Sequence, residues 1–218
     1  DVVDVDGAVN FAADVTLADG ADLITASAGT SNFRAGVNAG NSIASGGNYN
    51  VVVGDEAGTA ITTASNNTAV GYDSLKANTT GASNTAVGKS ALAANTTGYS
   101  NVALGEQALL SNTTGNNNLA SGRYALYSNT TGSANTALGL QALFGSTTAA
   151  NNTAVGFQSL LANTTGSANV AVGSYALDAA TTALNNTAIG HISLGATTTG
   201  ANNTGVGAYV MQANTTGA

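Results

Sequence analysis

Few residues in this chain could do chemistry. His191 is the single histidine, and cysteine is absent, so thiolate ligation and disulfides are both excluded. A catalytic triad or a histidine metal site needs partners at fixed spacings, and none accompanies His191. Asp4-Val-Asp6-Gly7 and Asp19-Gly-Ala-Asp22 offer paired carboxylates but lack the 12-residue calcium loop with its closing Glu. The glycines carry neither the Lys of a phosphate-binding loop nor a strand-to-helix setting. Asn-x-Thr sequons recur in nearly every repeat and matter only in a glycosylating pathway. These residues predict no catalytic centre, no metal and no cofactor.

The residues that do recur at fixed spacing are structural. Gly stands at 54, 71, 88, 105, 122, 139, 156, 173, 190 and 207, always 17 apart. Asn lies four residues earlier each time, as at Asn67, Asn84 and Asn101. From Gly71 onward Leu lies four later, as at Leu75, Leu92 and Leu109, with Met211 in the last place. Two threonine columns run unbroken from Thr79 and Thr80 to Thr215 and Thr216. A 17-residue unit is too short for a pair of helices, and Gly, Asn and Thr are poor helix formers. The fold class expected is all-β, a parallel β-solenoid with one coil per repeat. Gly71, Gly88 and Gly105 should then lie above one another at about 4.8 Å spacing.

Side-chain direction follows from strand alternation. Val70 and its equivalents, together with the Leu75 column, are expected to fill the core, with Thr68 also facing inward. The Asn67 column is expected to form an amide ladder along the axis, and the Gly71 column to mark a corner with positive φ. The next position varies freely (Tyr72, Lys89, Glu106, Arg123, Leu140, Phe157, Ser174, His191, Ala208), as a solvent-facing corner does. Ala69, Ala86, Ala103, Ala120, Ala137, Ala154, Ala171 and Ala188, followed by Gly205, never enlarge. By alternation they face away from the expected core, which predicts an interchain contact in a parallel homotrimer.

Composition bounds the rest. The 218 residues are 7% charged and lack Pro and Trp. The net charge of −7 resides in residues 1–56, and residues 57–218 sum to zero, which excludes the basic footprint of a nucleic-acid binder. No apolar run reaches the length of a membrane span. Residues 1–46 read as an irregular β connector, less regular and more mobile than the roll, and residues 47–218 as the 17-residue solenoid. The chain starts at Asp1 and stops within a repeat, as a piece of a longer protein would.

Asn67-Thr-Ala-Val-Gly71, Asn84-Thr-Ala-Val-Gly88 and Asn186-Thr-Ala-Ile-Gly190 resemble the Val-Ala-Ile-Gly signature of trimeric autotransporter adhesin heads. The unit with Ala-Leu and Asn-Thr-Thr-Gly resembles repeats of bacteriophage tail fibres more closely, and Asp14–Asp22 is similar to their linker segments. The resemblance implies a left-handed β-roll in a parallel homotrimer, located on a virion and serving host attachment. It also implies other fibre proteins and a host cell-surface receptor as partners. A bacterial surface adhesin or extracellular filament is the alternative. An ice-binding solenoid, suggested by the Thr79 and Thr80 ladders, is a further one.

Overall fold

A computed structural model describes residue 29 and residues 31–217. Of the connector expected over residues 1–46, residues 1–28 and 30, with the carboxylates of Asp4, Asp6, Asp19 and Asp22, lie outside the described residues.

The chain is a parallel β-solenoid. Among the described residues, eleven three-residue strands form one sheet in strict chain order: β1 (Phe33–Ala35), β2 (Val51–Val53), β3 (Thr68–Val70), β4 (Thr85–Val87), β5 (Val102–Leu104), β6 (Leu119–Ser121), β7 (Thr136–Leu138), β8 (Thr153–Val155), β9 (Val170–Val172), β10 (Thr187–Ile189) and β11 (Thr204–Val206). Each residue pairs with its equivalent one coil away, Thr68 with Thr85 and Ala69 with Ala86. The first step is longer, since Phe33 pairs with Val51. The sheet therefore begins ahead of residue 47, where the regular repeat starts.

One coil is bent by backbone that most side chains avoid. Gly71, Gly88 and Gly105 have φ of +127°, +133° and +131°, and every glycine of their column is likewise positive. They stack closely, since a methyl built on Gly88 would lie 2.6 Å from the carbonyl carbon of Gly105. Both the conformation and the stacking therefore demand glycine at this corner. Three non-glycine residues per coil are also left-handed, for example Asn66, Asp73 and Leu75 at 61°, 58° and 48°. Such conformations cost on the order of 1–3 kcal/mol each, so the surrounding structure has to impose them. The turns impose them through short backbone bonds such as Ser74 N to Gly71 O, 3.2 Å, and Asn78 N to Leu75 O, 3.1 Å. Coil-to-coil bonds add to these, as when Leu75 N donates to Ala91 O at 3.0 Å.

The Asn67 column forms the expected ladder. The Asn84 amide nitrogen donates to Asn67 Oδ1 at 3.0 Å, and Asn84 Nδ2 reaches across the coil to Gly98 O at 2.9 Å. Asn101, Asn118 and Asn135 repeat this arrangement in the following coils. A second buried ladder, not expected from the sequence, joins Asn78, Asn95, Asn112 and Asn129 through Nδ2-to-Oδ1 bonds of 2.7–2.8 Å.

The core corrects the expected orientation of the strands. The Leu75 column is buried as expected, through Leu92, Leu109 and on to Leu194. Ala69, Ala86, Ala103, Ala120, Ala137, Ala154, Ala171 and Ala188 are each 0% exposed within one chain, so they face their own core and leave no surface for another chain. The Val70 and Thr68 columns, expected inside, point outward. The reason is volume. A methyl built on Gly205 would lie 3.1 Å from Leu194 Cγ and 2.9 Å from Ser193 Oγ. The leucines come so close to the strand that only Ala or Gly fits opposite them, as close-packed interiors require.

Candidate functional site

A continuous surface feature is the outer face of the sheet. It carries two columns of side chains, separated along each strand by the inward residue. The first column reads Thr68, Thr85, Val102, Leu119, Thr136, Thr153, Val170, Thr187 and Thr204. The second reads Val70, Val87, Leu104, Ser121, Leu138, Val155, Val172, Ile189 and Val206. None of these residues is buried, and Val87, Leu104 and Ile189 are 38–41% exposed. No charge interrupts either column from Val51 to Val206. The second column is aliphatic except at Ser121, whereas six of the nine residues in the first are threonine.

The threonines of the two long ladders do different work. Thr79 Oγ1 donates to Thr96 O at 3.1 Å, and Thr96, Thr113 and Thr130 repeat the bond in the following coils. That column therefore bridges rungs. Thr80 and its equivalents are exposed throughout, in a single file beside it.

The corner after each invariant glycine is largely exposed, as its variability implied. Two exposed ion pairs lie on it or beside it, Lys76 with Asp73 at 2.9 Å and Arg123 with Glu106 at 3.0 Å. Such pairs contribute little to stability. His191 also sits there, with its ring 6.3 Å from Tyr175 and 5.2 Å from Tyr209, centroid to centroid. Asp178 is half-buried on a neighbouring turn, and burial pushes its carboxyl above the ordinary value of 3.8 against two local backbone amides that lower it. Among the described residues, no three His, Asp or Glu side chains gather as a metal-binding group. No described helix is long and apolar enough to cross a membrane.

The residues singled out from the sequence thus separate into scaffold and surface. Asn67, Gly71, Leu75 and their repeats (Asn84, Gly88 and Leu92, then Asn101, Gly105 and Leu109) build the coil and offer no binding groups to solvent. The outward Thr68 and Val70 columns, assigned to the core by sequence, supply its uncharged outer face. No family model, no characterised protein and no solved structure matches the chain.

Proposed function

We propose that this chain is the structural shaft of a bacteriophage tail fibre that serves host attachment, assembled as a parallel homotrimer through the outer face of its sheet. The observation that carries the reading is the uncharged outer face of the sheet, where the Val70 column is aliphatic except at Ser121. An unpartnered strip of Val, Leu and Ile along a chain with so few charges favours self-association. Because each coil repeats the last, three parallel copies would repeat one contact at every rung, and cyclic closure limits further lateral growth. The resemblance of the repeat to tail-fibre sequences supplies the biological setting, a virion with other fibre proteins and a host receptor as partners.

Two measurements test this reading. Sedimentation equilibrium should give three times the chain mass, and a stable monomer at micromolar concentration refutes the trimer. Antibodies raised against the solenoid should label tail fibres on phage particles in electron micrographs. Labelling confined to bacterial envelopes would instead favour the surface adhesin.

A further inference from the structure

Beyond the shaft role, the corner holds a feature that a scaffold does not require. Its earlier positions mix Tyr72 and Leu140 with charged Lys89, Glu106 and Arg123, but from Phe157 onward a row of rings follows the axis. Phe157 and His191 stand one residue after Gly156 and Gly190, while Tyr175 and Tyr209 stand two residues after Gly173 and Gly207. The alternation sets each ring edge-on to the next. The centroids are 5.1, 6.3 and 5.2 Å apart, with interplanar angles of 85°, 71° and 86°. Four rings thus cover three coil steps, or about 14 Å. Phe157 and Tyr209 are 38% and 56% exposed, although burying large aromatic surfaces is ordinarily favourable.

We propose that the aromatic row from Phe157 to Tyr209 binds an uncharged polysaccharide lying along the solenoid axis. Because successive rings stand nearly perpendicular, alternate rings can turn a negative face to the weakly positive C–H groups of a pyranose while those between them offer an edge. Two coil steps, about 9.6 Å, approximate the length of a disaccharide. Polar partners continue the row toward the N-terminus, where Gln158 Nε2 donates to Gln141 Oε1 at 2.7 Å. The charge pattern selects against ionic polymers. From Tyr124 to the last residue, Asp178 is the only acid, His191 is the only histidine, and no Lys or Arg occurs. A polyanion would find no cationic counterpart there. Mutual ring contacts hold the side chains in place, so little rotamer freedom remains to be lost on binding. The row belongs to a single chain and does not depend on the fibre reading.

The test is native affinity electrophoresis of the full chain in gels containing dextran, mannan or laminarin, with the anionic polymer alginate in parallel. At least one of the three neutral polymers should retard the parent. Phe157→Ala/Tyr175→Ala should weaken that retardation roughly tenfold, while Tyr72→Ala, at an exposed tyrosine outside the row, should leave it unchanged. Tyr209→Ala, in the last coil, provides a second variant with little structural consequence, and melting curves report whether each variant is folded. The proposal is overturned if no neutral polymer retards the parent, if the folded row variants are retarded like the parent, or if alginate retards it equally.

Discussion

A methyl group placed on Gly81 would lie 2.5 Å from Asn78 Oδ1, within the same buried turn that Asn78 Nδ2 closes by donating to Gly81 O at 2.9 Å. The two positions vary together along most of the chain. Asn78, Asn95, Asn112, Asn129 and Asn163 are each followed three residues later by Gly, whereas Ser146 is followed by Ala149, Ala180 by Ala183 and Ile61 by Ala64. Thr197 departs from the pattern by keeping Gly200, but no amide is paired with alanine. Glycine serves here as space for an amide and for the carbonyl of the next coil, since the same methyl would lie closer still to Gly98 O. Where the amide is lost the ladder breaks, leaving Asn129 Oδ1, Ser146 Oγ and Asn163 Oδ1 buried without partners.

Repair of that break is the first prediction. Ser146→Asn/Ala149→Gly should extend the second ladder across the gap and stabilise the chain by about 1 kcal/mol, the net worth of a buried hydrogen bond. Ser146→Asn alone should gain nothing, because the Ala149 methyl occupies the amide's place. Urea denaturation followed by circular dichroism measures both, and a single variant as stable as the double would contradict the pairing.

Compensation across the core gives the second. In β2, Val52 occupies the alanine column at full burial, and Gly58 stands where later coils have Leu or Met. The built methyl of Gly58 would meet Ile61 Cδ1 at 2.8 Å and Val52 Cγ1 at 3.0 Å. Large against small in one coil replaces small against large in the others. Ala120→Val should therefore overpack against Leu126 and cost about 1–3 kcal/mol. In the Ala120→Val/Leu126→Gly double variant the combined loss should be smaller than the sum of the two single losses. Strict additivity would mean that the two columns do not meet.

These pairs also show what the sequence could disclose. The period, the corner glycines from Gly71 through Gly105 onward, the Asn67 ladder and the leucine core are legible because each repeats without a gap and each has one physical use. The direction of the strand was not legible from alternation. Alternation shows that Thr68 and Val70 share a face opposite Ala69, but it is silent on which face is inside. Hydrophobicity favoured Val70, and it misled, because Leu75 already fills the space and its direction depends on left-handed backbone at Asp73 and Leu75. The signal that could have decided it is Val52 with Gly58, since residues exchange volume only when they share a core. The aromatic row was hidden for another reason: its members alternate between two columns, so neither column alone reads as aromatic.

Asp178 supplies a prediction with a sign. Burial raises its carboxyl pKa above 3.8 in the folded chain, so the folded state holds the proton more tightly than the unfolded state does. Its contribution to stability is therefore greatest at low pH and declines as pH rises from the ordinary carboxylate value through the raised one. Asp178→Asn should melt higher than the parent at pH 7, and the difference should shrink as the pH falls toward 3.8. A gap that widens on acidification would reverse the assignment.

The last prediction separates the two faces of one strand. Leu104 and Ala103 are neighbours in β5, one 38% exposed on the outer face and the other fully buried against the leucines. If the outer face joins three chains, Leu104→Lys places a like charge from each copy near one axis, where it must lose water without gaining a partner. Trimers should then dissociate to monomers that keep their β-sheet circular dichroism, since the lysine of a lone chain points into solvent. Ala120→Arg should behave differently. Its guanidinium would enter the core of a single chain, with no carboxylate nearby and no room beside Leu126, so the coil itself should unfold at any concentration. Sedimentation equilibrium and circular dichroism on both variants distinguish these outcomes. A Leu104→Lys chain that remains trimeric, or an Ala120→Arg chain that yields folded monomers, would mean the strand presents the opposite face to its neighbours.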